Sequence, residues 1–166
     1  MKKAVIFDID GVLAEKSPER DYREYDKVDL DKGIYEVFVL LEMYIKEEYS
    51  VLWVTGRKNL CREKTVNFLY KNMSETNSQI VLKYMLHLSV EAREFMIKKS
   101  LSDSLFMRAD SDHRKAVVLK KEIYETHIKG KYDIVACFDD DPEICEMYKK
   151  EGILTFEVKR NLIKTI

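Results

Sequence analysis

Three apolar runs in this sequence end in groups that could handle a phosphate ester. Ala4-Val5-Ile6-Phe7 runs into Asp8 and Asp10, Val51-Leu52-Trp53-Val54 into Thr55-Gly56-Arg57, and Ile134-Val135-Ala136-Cys137-Phe138 into Asp139-Asp140-Asp141-Pro142. An aspartate carboxylate can attack phosphorus in line to give an aspartyl-phosphate, which splits hydrolysis into two easier steps. A second carboxylate two residues on can protonate the departing alkoxide and then take a proton from the water that hydrolyses the intermediate. Charge developing on the phosphoryl oxygens calls for donors: a hydroxyl with neighbouring backbone N–H groups, a lysine and a metal ion. Carboxylates gathered in one place repel one another unless a cation neutralises them, so the pattern implies a hard metal or raised pKa values. Mg²⁺ suits it best, because Mg²⁺ takes few carboxylates, keeps waters and bridges to substrate phosphate.

Such residues need strands whose ends share one edge. Each of the three runs is short, continuous and apolar, as expected of a strand buried on both faces. Helical spacing of Ile34, Val37, Phe38, Leu41 and Ile45, behind an Asp31 that could cap the start, predicts a helix over about 31–48. A second helix carries Cys61, Thr65, Phe68 and Leu69 on one side, and residues 75–79 break it. A third spans about 79–99 with a kink or split near Ser89. Leu105-Phe106-Met107 is a short strand and 113–128 a helix. Pro142 opens a helix over 142–151, with Asp141 as its cap; Gly152 ends it and Ile153–Val158 is a fifth strand. Strands alternating with helices imply a parallel sheet covered on both faces by right-handed crossovers, with the working residues at the carboxyl ends of the strands. The expected fold is therefore α/β: a Rossmann-like three-layer α/β/α domain with a five-stranded parallel sheet. Residues 11–30, polar and charged with Pro18, form a flap after the first strand.

With 166 residues, 46% of them apolar, the chain suits one domain, 1–166. A formal charge of −1, with acidic and basic residues interspersed, gives no global signature of a nucleic-acid or membrane partner, although a local basic groove stays open. No apolar run approaches the roughly 20 residues needed to cross a bilayer, and the N-terminus carries no cleavage-site pattern, so a cytoplasmic protein is expected. Cys61, Cys137 and Cys145 lack CxxC spacing and are read as reduced, packed thiols. His87, His113 and His127 lack a spacing that would join them into a metal site. Trp53, inside a buried run, reads as core, whereas Tyr22 and Tyr25 in the flap could stack on a base.

Taken in order, Phe7-Asp8-Ile9-Asp10-Gly11-Val12-Leu13, Trp53-Val54-Thr55-Gly56-Arg57, a lysine, and Phe138-Asp139-Asp140 resemble the motifs of the haloacid dehalogenase-like (HAD) phosphatase superfamily. The resemblance implies Asp8 as nucleophile, Asp10 as general acid and base, and Thr55 with Gly56 at the phosphate. It implies metal binding by Asp8, Asp139, Asp140 and the Asp10 carbonyl. The second half, with Phe106-Met107-Arg108, Asp112, Arg114, Val118, Lys120 and Glu122-Ile123-Tyr124, is similar to the 3′-phosphatase half of bacteriophage polynucleotide kinase/phosphatase. That likeness covers about 1–70 and 104–158. It implies Lys120 as the phosphate-binding lysine, ahead of Lys115, with Arg20 and Arg57 as substrate or active-site contacts and Arg108 and Arg114 as further candidates. The implied activity is removal of a 3′-terminal phosphate from a nucleic-acid end, or alternatively from small nucleotides or sugar phosphates. A phosphate-end binding module without turnover is the alternative of another class.

Two features depart from that pattern. Ala116 stands four residues before Lys120, where the family has an aspartate, and about 72–102 reads as a helical insertion without a counterpart. No GxxxxGK[ST] occurs, so no P-loop for ATP is expected. Asp-x-Asp after an apolar run is weak evidence alone, since acidic residues end many strands by preferring loops. The three strand ends together carry the reading.

Overall fold

Residues 1–75 and 88–159 are described by a computed structural model of the chain. Its centre is a five-stranded, wholly parallel sheet of β1 (Lys2–Phe7), β4 (Ser50–Lys58), β5 (Leu105–Arg108), β6 (Tyr132–Asp139) and β7 (Thr155–Glu157), in the order β5-β4-β1-β6-β7. Two further strands, β2 (Ala14–Glu15) and β3 (Lys32–Gly33), pair antiparallel at the base of the flap. The strand order reverses between β1 and β6, which makes the crevice beyond their carboxyl ends the natural ligand position in an open α/β sheet.

Side chains alternate across a strand, and here both sets are apolar because both faces are covered. Val5, Phe7, Trp53 and Phe138 face a core shared with α1 (Tyr35–Lys46), α2 (Arg62–Glu75) and α3 (Val90–Asp103), through Phe38, Leu41, Phe68, Leu69 and Leu101. Ala4, Ile6, Leu52, Val54 and Cys137 face α4 (Ala116–Ile123) and α5 (Pro142–Lys150), through Leu119, Ile123, Ile144, Met147 and Tyr148. Each fully buried Phe or Leu contributes about 1.5–3 kcal/mol, so the two cores hold the sheet rigid beneath the site. Phe7, Phe138 and Phe156 stack across the three adjacent strands β1, β6 and β7, with ring centroids 4.6 and 4.8 Å apart.

The sequence-based expectations hold for the sheet and shift at the element ends. Asp31 does not cap the first helix: α1 begins at Tyr35 with Ile34 as its N-cap, because Lys32–Gly33 is drawn into the hairpin with Ala14–Glu15. The β4 strand continues to Lys58, whose partner across the ladder is Arg108. The helix expected over 113–128 starts at Ala116, after Asp112 Oδ1 has accepted the Arg114 N–H in a local turn, and it ends in a wider π-helical turn over Tyr124–Ile128. Ser89 is the N-cap of α3, its hydroxyl accepting the Ala92 N–H. The part of that expected helix over 79–87 lies outside the described residues, as does His87. Of the segment expected as an insertion, α3 packs against α2 and sends Leu101 into the core. Asp141 caps α5 as expected, with Pro142 in the first turn. Cys61, Cys137 and Cys145 are free and buried, and Trp53 is core.

Candidate active site

Register brings the reactive residues together. Phe7 pairs with Trp53 on one side and Phe138 on the other, and the Asp8 N–H donates to the Phe138 carbonyl at 2.9 Å, so Asp8 and Asp139 leave neighbouring strands side by side. Gly11 then turns the chain away with φ +82°, a region that favours glycine. A Cβ at Gly11 would stand 2.1 Å from Asp140 Oδ2, so only glycine lets Asp140 approach this turn. Asp8, Asp139 and Asp140 each offer an oxygen within 4.8 Å of the others. Above them opens a cavity of about 560 Å³ lined also by Asp10, Arg20, Gly56, Arg57 and Lys120.

Lys120, buried on α4, donates to Asp139 Oδ2 at 2.7 Å and lies 2.9 Å from Asp8 Oδ1. The contact to Asp8 is an ion pair without hydrogen-bond alignment, which leaves Oδ1 without an aligned donor inside the protein. Three carboxylates against one ammonium leave a formal excess of two negative charges. Burial, then the neighbouring Asp139 and Asp10, push Asp8 up to about 8 against the opposing pull of Lys120. Burial and Asp139 raise Asp140 as well. Burial acts to lower Lys120, but Asp8 and Asp139 outweigh it and hold the ammonium charged. The two shifts of the Asp8–Lys120 pair pull apart, one favouring a neutral acid and the other an ion pair. The direction that charge counting supports is a site short of positive charge. All-oxygen donors, an orphaned buried oxygen and a deficit of two charges fit Mg²⁺, which Asp8, Asp139 and Asp140 would hold. The Asp10 carboxylate is outside this trio.

Asp10 belongs instead to a second, charge-balanced group. Arg57 grips it through Nε at 3.0 Å to Oδ2 and Nη2 at 2.8 Å to Oδ1, and the same Nη2 reaches Asp31 Oδ2 at 2.7 Å. Arg20 comes down from the flap to make a two-pronged contact with Asp31, at 2.7 and 2.6 Å, and lies 3.5 Å from Asp10. The Ser17 N–H also donates to Asp31. Arg20, Arg57 and Asp31 side chains are at most 2% exposed and Asp10 is 18% exposed, so two cations and two anions offset one another largely out of water. The flap is thereby tied to the sheet rather than loose, and Lys64 on α2 holds its 3₁₀ turn, Tyr25–Leu30, through Asp26 and Asp29.

Thr55 is fully buried and, unlike Gly56, does not line the cavity; its hydroxyl oxygen accepts the Arg57 N–H at 3.2 Å. Lys115 is the N-cap of α4 and does not line the cavity, whereas Lys120 does, as does Lys58 at the end of β4. Ala116 does line it. Tyr22, Tyr25, Arg108, His113 and Arg114 reach the wall, and Arg114 is bound to Asp112 and Glu122. His127 stacks on Phe106 away from it. Asp31 escaped the reading of the sequence as a site residue; an acid before a helical run looks like a cap, and its partners lie 11 and 26 residues away.

A three-layer sheet with acidic strand ends and a buried lysine is the frame of a HAD-like hydrolase domain. The model of the family described as the polynucleotide kinase PNKP phosphatase domain matches this chain over residues 2–104 and, in a second segment, 85–162, and the chain belongs to that family. A protein of Autographa californica nuclear polyhedrosis virus named as a bifunctional polynucleotide kinase/RNA ligase is 26% identical over 98% of this chain, which spans 20% of that relative. A chain in the structure of the Pnkp1/Rnl/Hen1 complex superposes with a TM-score of 0.72 at 29% identity, over 95% of this chain and 45% of that one. A chain of the Pnkp1/Rnl/Hen1 RNA repair complex gives 0.67 at 28%, over 95% and 42%. No described helix is long and apolar enough to cross a membrane.

Proposed function

We propose that the chain is an Mg²⁺-dependent phosphomonoesterase that removes the 3′-terminal phosphate from nucleic-acid ends through an aspartyl-phosphate at Asp8. The observation that carries it is the buried Asp8 beside Lys120, Asp139 and Asp140, at the cavity floor where strand order reverses. Family membership and the two RNA repair structures support the choice of substrate.

An Asp8 oxygen attacks phosphorus while the bond from phosphorus to the leaving oxygen breaks, and Asp10, which enters this step protonated from solvent, gives that oxygen its proton. Asp10, now a carboxylate, takes a proton from the attacking water; the Asp8–phosphoryl bond breaks and inorganic phosphate leaves. Arg57 aims Asp10 through both steps. The Thr55 hydroxyl, whose oxygen already accepts an amide, keeps its proton to donate to a phosphoryl oxygen, and Gly56 adds its backbone N–H beside it. Mg²⁺, when bound, offsets charge on the phosphoryl oxygens. Lys120 bridges Asp8 and Asp139, offsets part of their charge, and offers its ammonium to a phosphoryl oxygen.

The test is phosphate release with Mg²⁺ from a 3′-phosphorylated oligonucleotide, its 5′-phosphorylated counterpart, free 3′- and 5′-nucleotides and a sugar phosphate, with Asp8→Asn as control. Preference for the 3′-phosphorylated oligonucleotide is expected. Preference for free nucleotides or sugars would move the function to small-molecule metabolism, and no release from any of them would leave a phosphate-end binding module.

A further inference from the structure

The cations of the cavity fall into two sets. Arg20, Arg57, Lys120 and Arg114 each carry a hydrogen-bonded carboxylate. Arg108 and Lys58, cross-ladder partners at the ends of β5 and β4, do not. Lys58 Nζ donates to the Asp110 carbonyl at 2.7 Å. Arg108 Nε donates to the Gly56 carbonyl at 3.1 Å and Nη1 to the Arg114 carbonyl at 2.7 Å. The nearest carboxylate to Arg108, Asp112, is 3.6 Å away and both its oxygens are taken by Arg114. Arg108 is 9% exposed, and its Nη2 stands over the Cα of Gly56 with no acceptor of its own. Lys58, held by a backbone carbonyl, and Arg108, held by two carbonyls beside an Asp112 carboxylate that it shares with Arg114, keep positive charge available for an anion, and a guanidinium with a spare N–H suits a phosphate oxygen.

The reacting phosphate is assigned above to the other cations and donors of the cavity, next to Asp8 and Lys120, so Arg108 and Lys58 are not needed for it. We propose that Arg108 and Lys58 form a second anion subsite, which takes the phosphodiester joining the last two nucleotides of the strand. The subsite rests on the nucleic-acid-end reading above and deepens it: it is what makes a strand end a better ligand than a lone nucleotide, which has no such diester. Arg108 is anchored to the Gly56 carbonyl, and the proposed phosphoryl site uses the N–H of the same residue, so the two sites hold a fixed spacing. A nearly neutral protein then needs no broad basic surface, because the recognition is confined to one wall.

The experiment is equilibrium binding by fluorescence anisotropy to the full chain carrying Asp8→Asn, which does not consume substrate. The probe is a 5′-labelled, 3′-phosphorylated trinucleotide whose last linkage is either the natural diester or its uncharged methylphosphonate. With Arg108 present, the methylphosphonate is expected to bind about tenfold more weakly, the scale of one charge-assisted contact. With Arg108→Ala added the methylphosphonate penalty shrinks, and with Lys58→Ala added as well the two probes bind alike. Equal binding of both probes when Arg108 is present overturns the subsite, and so does a methylphosphonate penalty that survives Arg108→Ala in full. The comparison of two probes on the unaltered Arg108 protein does not depend on how well the variant folds. Phosphate release by the wild-type chain is measured separately, so a failure of the phosphatase reading is told apart from a failure of the subsite.

Discussion

Asp8 is a carboxyl group that the protein alone does not ionise comfortably. Its pKa rises from 3.8 to about 8, chiefly because it is buried, so between those values the metal-free native state holds a proton that the unfolded chain has lost. Stability then falls as pH rises through this window, since the native state binds more protons than the unfolded one. Binding of Mg²⁺ displaces that proton and should remove the penalty. Melting temperatures taken with and without Mg²⁺ from pH 5 to 8.5 should therefore diverge as pH rises, and Asp8→Asn, which mimics the neutral acid, should raise the metal-free melting temperature much more at pH 8 than at pH 5. A gap between the Mg²⁺ and metal-free curves that stays constant with pH would contradict this account of the site. Asp31 gives a second prediction. Replacing it with Asn turns an amide N–H₂ toward two buried guanidinium groups and should cost about 3–5 kcal/mol in urea unfolding, the usual scale for breaking a buried charge network. Turnover should fall with it, because Arg57 then loses part of what aims Asp10; a loss under about 1 kcal/mol would mean that the two Asp10 contacts suffice. Asp8, Asp10, Asp139 and Asp140 were legible because each follows an apolar run directly. Asp31 was not, since only the fold reveals which distant arginines meet it.

At the scale of elements, the turn after β1 and the flap hairpin decide how the site closes. Gly11 lets the chain turn with φ +82° and leaves room for Asp140, so Gly11→Ala both strains the backbone and pushes aside a carboxylate of the proposed metal set. Mg²⁺ affinity, read from the Mg²⁺ dependence of melting temperature, should drop about tenfold or more. Unchanged affinity would place Asp140 outside the metal set. The flap read as a polar loop because its sequence is charged throughout, yet its Arg20 is 4% exposed and Val28 is fully buried. Local polarity is a poor guide where charges are paired across the fold. The strand cores were legible from continuous apolar runs, while their ends were not: β4 runs on to Lys58 because Arg108 supplies a partner, and α1 starts late because Lys32–Gly33 is claimed by Ala14–Glu15. Both outcomes depend on pairings that local periodicity does not encode.

For the whole molecule, the alternation of strands and helices was enough to foresee a parallel three-layer fold, and the strand order places β1 and β6 together at its centre. What alternation does not state is that order, and with it the meeting of Asp8 and Asp139. The same architecture separates two jobs. A balanced group of Asp10, Asp31, Arg20 and Arg57 holds the proposed acid and base, Asp10, in position, and an unbalanced trio of carboxylates around Lys120 is left short of positive charge. The central claim is that phosphoryl transfer passes through Asp8 and that Asp10 is needed to release it. The most direct test is a rapid-mixing measurement of the Asp10→Asn variant with Mg²⁺ and p-nitrophenyl phosphate, whose leaving group departs without an acid. A burst of about one nitrophenolate per chain, followed by a stall with phosphate bound covalently at Asp8, is the predicted result. Steady release without a burst, or a burst that leaves no phosphate on Asp8, would contradict it.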